Sequence, residues 1–591
     1  MAIERPAQQS LVRRYVPIVD WLPRYRWHED LRWDLVAGLT VWALLVPEAM
    51  AYAGIAGVPP EAGLYTAPLA LLGYAVFGTS RQLFVGPSST VAIVSASVVG
   101  GIVAASGADF WIVTSWLAIV TGIVLVALGL ARMGWVANFM ARPVLDGFII
   151  ALAITIAVGQ LDKIFGIEKE GENTVRELIS IFTQIADWDL ATMAVGFTSL
   201  ALLFLMHAYT PRIPAALTVV LLSIVVSAVA GFEDHGIHIV GDIPAGLPSL
   251  GAPTWPDGVA ISELIAGALA VTIVAYAESL AAAKTYARKY GYEVDANQEL
   301  VGLGVANLGA GLSQGFVVDG SLSKTAAGDG AGQRSQMTGV IAAIFTIITI
   351  LFLTGLFYNL PEATLGAIVV HAVWGLIDTG KLRRMWQVRK EDFWAAMIAL
   401  AGVLLIDVLQ GIVIGILLSL LILIYRASFP AATKLGQIEV AGNQTFVSVA
   451  EFPEATPPRQ IVVHRFNADL IFSNADAFAS SVLEMLYDAD PPAGLVVIDC
   501  EMMADMDMTG AARLGELTDE IRHHGVDLRI ARLHGEAHDV ADRSGTLESI
   551  GSDHVHLTVT EAVDAGRAEN VSSEAEDGDE AAVERPGEES S

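Results

Sequence analysis

Apolar runs of about twenty residues recur along most of this 591-residue chain, and few of them carry a charge. That pattern constrains the fold more than any other feature, because runs of this length fit the hydrocarbon core of a bilayer. The segments read as 35–56, 60–78, a half-spanning 86–104, 110–131, 143–161, 190–208 and 213–231. After a loop at 232–257 rich in Gly, Pro and acid come 258–283, 297–314, a half-spanning 321–328, 337–357, 362–378, 393–410 and 411–426. Two sets of seven that start from opposite sides form an inverted repeat, and the third member of each set is broken. A hydrophobic share of 54% and a mean hydropathy of +0.54 fit a polytopic α-helical membrane protein of 14 segments, and leave little room for a soluble helical one.

Charge tests the count. Arg5, Arg13, Arg14, Arg24, Arg26 and Arg32 place residues 1–34 in the cytoplasm by the positive-inside rule, and no cleavable signal pattern precedes them. Loops expected inside carry Arg132 and Arg142; Arg212; Lys284, Arg288 and Lys289; Arg334; and Lys381, Arg383, Arg384, Arg389 and Lys390. The loop 232–257 has neither Lys nor Arg. In 162–189, Lys163, Lys169 and Arg176 are outnumbered by Glu168, Glu170, Glu172, Glu177 and Asp187.

The stretch Gly315 to Gly330, GFVVDGSLSKTAAGDG, breaks the apolar pattern with hydroxyls, glycines and a cation. Gly320-Ser321 ends an extended piece, and a short helix is predicted to open at Ser321. Phe84 to Val91, FVGPSSTV, repeats that grammar, with Gly86-Pro87 before Ser88, Ser89 and Thr90. Main-chain N–H groups at such starts lack intrahelical partners, and within a bilayer a broken helix is tolerated only beside a polar cavity. Two starts facing each other form an anion site.

Lys324 is the candidate cation there, against the alternative of a lysine snorkelling to the cytoplasmic interface. Ser321, Ser323, Ser88 and Ser89 cap helix ends, and the same groups are donors for an oxyanion. Glu48 and Glu278 lie mid-segment, where a carboxylate costs about 2.5–3.5 kcal/mol on insertion scales, so a functional role is the default reading beside a structural ion pair. Two helix N-termini at about +0.5 each, with Lys324, suit a dianion, and two ionised glutamates would cancel them. Cation-coupled symport follows, with H⁺ or Na⁺ as the coupling ion.

Other chemistry finds little support. Lys324 stands four residues past Gly320, where a phosphate-binding P-loop requires adjacency. No histidine spacing suggests a metal, and His371 reads as a packed side chain. Cys500 is the only cysteine, which excludes an internal disulfide. No cofactor or enzymatic site is expected. A net charge of −30, with 8 Lys beside 26 Arg, argues against nucleic acid and resembles the acidic proteomes of halophiles.

From about Gln437 the composition becomes soluble α/β, with strands near 444–452, 460–466, 494–499 and 527–532 and helices near 474–488, 509–524 and 536–543. The acidic tail 567–591 has no apolar period and is expected to be disordered.

Several motifs in order, VPEAMAYAGIAGVPPEAGLY (46–65), FGTSRQLFVGP (77–87), NQEL (297–300) and GSLSKTA (320–326), closely resemble signatures of the sulfate permease family, which includes solute carrier family 26. VVIDCEMMADMDMTGAARL (496–514) resembles the motif of a STAS domain, and the resemblance spans about 20–566. It implies a 7+7 inverted repeat shared with uracil permeases, a homodimer, and an elevator-like secondary transport of a small inorganic anion across the plasma membrane. It also implies a cytoplasmic STAS domain. Repeats are placed at 35–231 and 258–427, and the STAS domain at 437–566. Sulfate ranks first, before bicarbonate and dicarboxylates, with a transport-inactive STAS regulator as the reading from another class. The resemblance places Tyr52, Gly86, Ser88, Ser89, Ser321, Leu322, Ser323 and Lys324 at the substrate. At the position of Lys324 the family usually has arginine, and at that of Glu48 often glutamine. An acid at the position of Glu278 goes with cation coupling. Asp507-Met508-Thr509-Gly510 matches a loop phosphorylated in anti-sigma antagonists, with Thr509 as the candidate phospho-regulatory residue and helix capping as the preferred reading.

Overall fold

The structure is a computed structural model that describes residues 15–569 except 136–140, 169–170, 172, 211–213, 407 and 441. Arg5, Arg13, Arg14, Lys169, Glu170, Glu172, Arg212 and the tail from residue 570 lie outside the described residues. The chain divides into two compact units, 1–419 and 420–591.

The first unit contains two successive sets of seven elements. The first set comprises α1 (Trp27–Ile55), α2 (Pro60–Phe77), β1 (Phe84–Gly86) leading into α3 (Ser89–Ser106), α4 (Phe110–Leu130), α5 (Arg142–Gly159), α6 (Leu190–Tyr209) and α7 (Ala215–Ala230). The second comprises α8 (Ile261–Tyr290), α9 (Ala296–Leu312), β2 (Asp319–Ser321) leading into α10 (Leu322–Gly330), α11 (Met337–Ile348), α12 (Glu362–Trp374), α13 (Lys390–Leu405) and α14 (Val408–Ser428), which runs on into the second unit. Nine helices among the described residues are long and apolar enough to cross a membrane. The other five members, α2, α7, α9, α10 and α13, are shorter or less apolar. The apolar surface and the two broken spans make this a polytopic membrane protein.

Several boundaries differ from the sequence expectation. Helix α1 begins at Trp27, so the polar 27–34 stretch, Arg32 included, belongs to the first helix. Lys284, Arg288 and Lys289 lie in the last turns of α8, which ends at Tyr290. Cations there offset the negative end of the helix dipole, so a basic cluster need not mark a loop. Lys381, Arg383 and Arg384 sit on a helix, Thr379–Val388, and the acid-rich 162–189 stretch contains another, Thr174–Thr183. Past Ile348, the expected 337–357 span tightens and widens in turn through a π turn and a 3₁₀ turn.

Small residues let the helices near the broken elements approach closely. A Cβ on Gly122 would lie 2.7 Å from the Gly304 carbonyl oxygen, and one on Gly304 would lie 2.8 Å from that of Gly122. Helices α4 and α9 therefore meet backbone to backbone, as membrane helices do where glycine is available.

The second unit contains a six-stranded sheet. Strands β3 (Ala432–Val440), β4 (Asn443–Ser448), β5 (Ile461–Phe466), β6 (Leu495–Asp499), β7 (Asp527–Ala531) and β8 (Val555–His556) are ordered β4-β3-β5-β6-β7-β8. β5 to β8 are parallel, and β3 is antiparallel to both neighbours. Strand β3 starts before the expected Gln437 and was not foreseen, because its polar residues interrupt any apolar run. Helices Ala475–Tyr487, Met508–His523 and Gly535–Arg543 follow the expected positions. Residues 567–569 continue a terminal helix and do not belong to a structureless tail.

Buried His464 on β5 contacts Ser481 Oγ through Nε2 at 2.8 Å, and burial pushes its pKa down to about 4. The unfolded chain takes up the proton first. Stability is therefore fully present above the ordinary value near 6.5 and declines as pH falls from there towards 4, where it levels off. Thermal unfolding across that window is expected to show this acid component in the wild type and to lack it in His464→Gln.

Candidate functional site

β1 and β2 bring the two interrupted spans together. They pair antiparallel, with Phe84 opposite Ser321, Val85 opposite Gly320 and Gly86 opposite Asp319. Phe84 N–H also donates to Thr325 Oγ1 at 3.0 Å, and Thr325 Oγ1 donates to the Ser321 carbonyl at 2.6 Å. Gly320 is needed for a third contact. Its N–H donates to Ser279 Oγ at 2.7 Å, and a Cβ there would lie 2.8 Å from Leu83 and 3.0 Å from Ser279 Cα. Gly86 has ordinary room for a Cβ, so register and not crowding sets its place.

The helix starts differ. Ser321 caps α10 weakly, accepting from Lys324 N–H at 3.4 Å, and its hydroxyl lies 3.1 Å from that of Ser323. Ser88 stands at the N-cap of α3 without capping it, contrary to the expectation, and its buried hydroxyl lacks an aligned partner among the described residues. The first N–H groups of α3 therefore keep their donor capacity. Ser89 and Thr90 are buried beside them, whereas Ser323 is exposed and Leu322 is 56% exposed.

Lys324 does not snorkel. Its side chain is 1% exposed, its Nζ lies 2.8 Å from Glu48 Oε2, and it donates to the Pro87 carbonyl at 3.0 Å. The Tyr52 ring lies under the same ammonium, 5.0 Å from Nζ to centroid, and Tyr52 is itself buried. One cation thus ties α1 to both broken elements. Glu48 Oε2 approaches it as a counter-charge without hydrogen-bond alignment.

Glu278 on α8 faces Asp319 at the start of β2, with the Thr90 hydroxyl on Glu278 and the Ser88 hydroxyl toward Asp319. Asp319 is fully buried, and neither of its oxygens has an aligned donor among the described residues. Sequence reading missed this residue. The available signal was a carboxylate directly before Gly320-Ser321 in an apolar run. Tyr52, Gly86, Ser88, Ser89, Ser321, Lys324, Glu48 and Glu278 converge on one region.

Elsewhere, His371 packs edge-on against Phe204, with ring centroids 4.9 Å apart, as expected of a packed side chain. Thr509 is exposed in the first turn of Met508–His523, where Asp507 caps the helix by accepting from Gly510 N–H at 2.8 Å. Asp527, His554 and Glu569 converge, but Arg529 already pairs with both carboxylates, at 2.8 and 2.5 Å.

Residues 31–399 match the model of the Sulfate permease family, and residues 452–562 match that of the STAS domain. A "Probable sulfate transporter" of Mycobacterium tuberculosis (strain CDC 1551 / Oshkosh) is 35% identical over 547 residues, covering 92% of this chain and 96% of that one. "Sulfate transporter 4.1, chloroplastic" of Arabidopsis thaliana is 30% identical over 565 residues, covering 93% of this chain and 82% of that one. The structure of the murine Solute Carrier 26 family member A9 anion transporter in the inward-facing state superposes with a TM-score of 0.86 at 24% identity, over 96% of this chain and 97% of that one.

Proposed function

Since this chain belongs to the sulfate permease family and carries a STAS domain, and is an anion transporter and not an enzyme, we propose that it moves a small oxyanion, sulfate first, by cation-coupled symport. The observation that carries this reading is the buried Lys324 at the junction of the two paired, broken spans. The anion would be met by the free N–H groups of α3, the Ser88 and Ser89 hydroxyls, the Ser321–Ser323 hydroxyl pair and the main-chain N–H of Leu322. Lys324 supplies the local field, and Tyr52 fixes its position. As a point cation it lacks the bidentate fork of arginine, so main-chain donors do most of the orienting.

Charge accounts for the coupling. Lys324 and Glu48 neutralise each other, and the helix starts bring about +0.5 each. Glu278 and Asp319, if both ionised, would leave the pocket unfavourable to a dianion, so a cation must enter with it. In this reading the family's elevator-like motion carries the pocket across. The protein is a homodimer in the plasma membrane of a salt-adapted cell, with its N-terminus and STAS domain cytoplasmic. Bicarbonate and dicarboxylates are met by the same donors. The capped turn at Asp507 favours a packing or regulatory role for the STAS domain without phosphate on Thr509.

The test is uptake of labelled sulfate and labelled bicarbonate into proteoliposomes under separate Na⁺ and H⁺ gradients. Sulfate accumulation driven by one of the gradients is expected. Absence of uptake and of exchange for both anions would leave the membrane unit without a transport role.

A further inference from the structure

We propose that Asp319 and Glu278 share one proton, and that this carboxyl pair is the seat of the coupling ion. The proposal rests on the transport reading above and narrows its cation to H⁺.

Two carboxylates offer only acceptors to each other, and one proton turns the facing pair into a donor and an acceptor. Asp319 is fully buried, with both oxygens lacking an aligned donor among the described residues, and Glu278 is the acid that faces it. Thr90 already supplies a hydroxyl to Glu278, which leaves the side toward Asp319 for the shared proton. Without that proton, like charges would meet at close range in a site closed to water, where Coulomb repulsion is strong.

The surrounding charges leave the pair as the variable one. On α1, Glu48 is matched by Lys324 of α10, and Tyr52 lies under the same ammonium. His371 on α12 acts on the Glu48 side. Glu299 on α9 is engaged by Tyr74, Thr79 and Ser80. Helices α3 and α4 contribute no titratable side chain.

Position links the proton to the anion. Asp319 opens β2 opposite Gly86, the Ser88 hydroxyl stands beside it, and α10 begins three residues later. Protonation removes a negative charge from the base of both helix starts. One proton enters the pair from the outer solution as one anion enters the pocket, and both leave on the other side.

Proteoliposomes held at zero voltage, with labelled sulfate as the probe, separate the alternatives. A pH step of one unit, acid outside, corresponds to about 1.4 kcal/mol per proton and is expected to drive about tenfold accumulation in the wild type. In Asp319→Asn the amide donates to Glu278 as the shared proton did. This variant should still exchange sulfate for sulfate at equal pH, at a reduced rate, while its pH-driven accumulation ratio falls to about one. Glu278→Gln, which donates from the other side, should lose coupling in the same way and covers the case in which Asp319→Asn fails to fold. Should both fail, the wild type alone decides: sulfate should raise its melting temperature less as pH rises. Retention of tenfold pH-driven accumulation by either variant overturns the proposal. So does accumulation in the wild type that follows Na⁺ and ignores pH, or a sulfate-dependent melting shift indifferent to pH. Wild-type protein that exchanges sulfate without pH coupling refutes the proton pair and keeps the transport reading, whereas absence of exchange removes both.

Discussion

Lys324→Met is expected to reduce sulfate uptake by about 100-fold or more, a loss equivalent to about 2.7 kcal/mol. The side chain is buried, and it is the cation that joins Glu48, the Tyr52 ring and the Pro87 carbonyl. Removing it leaves Glu48 without its counter-charge and frees the loop carrying Ser88 from α10. Breaking a buried pair from one side costs about 3–5 kcal/mol, whereas replacing both members by neutral groups costs far less. The double variant Lys324→Met with Glu48→Gln should therefore regain much of the thermal stability lost by the single one and still fail to transport. Lys324→Arg, which keeps the charge, should retain uptake. Recovery of transport in the neutral double variant would show that the cation serves the fold alone.

Glu299→Leu is expected to yield no folded protein. Its buried carboxylate accepts from Tyr74 Oη at 2.7 Å, Thr79 N–H at 2.7 Å, Thr79 Oγ1 at 2.5 Å and Ser80 N–H at 3.1 Å. Leucine would leave four donors unsatisfied, at about 1–3 kcal/mol each, which exceeds what a marginally stable fold can lose. These donors belong to α2 and to the segment that leads directly into β1, so Glu299 sets where the first broken span begins. Glu299→Gln keeps one acceptor oxygen and turns an amide toward the remaining donors. It should fold with a lowered melting temperature, read by size-exclusion chromatography after graded heating. Equal melting temperatures for wild type and Glu299→Leu would contradict this role.

Features written locally in the chain were legible. Gly320-Ser321 and Gly86-Pro87 interrupt apolar runs, and the structure places strands and new helices there. Helix lengths were less so, because Lys284 and Arg288 read as a loop although a helix end accommodates them. The partners of the site were hidden for a different reason. Glu48 and Lys324 are far apart in sequence, and only the pairing of β1 with β2 brings Pro87, Lys324 and α1 to one point. Asp319 was passed over because an acid before Gly-Ser looks like turn chemistry, and its meaning depends on Glu278 arriving from α8. Strand β3 escaped because pairing on both sides, and not an apolar period, holds it in the sheet.

The central claim is that a negative solute rests between two helix starts joined by β1 and β2, and the most direct measurement is to locate one there. Anomalous scattering from selenate, a heavier analogue of sulfate, bound to the full chain should give one dominant peak within hydrogen-bond reach of the first N–H groups of α3 and α10, close to Ser88 and Ser321. A saturating selenate peak elsewhere in the membrane unit, with that junction unoccupied, would contradict the account.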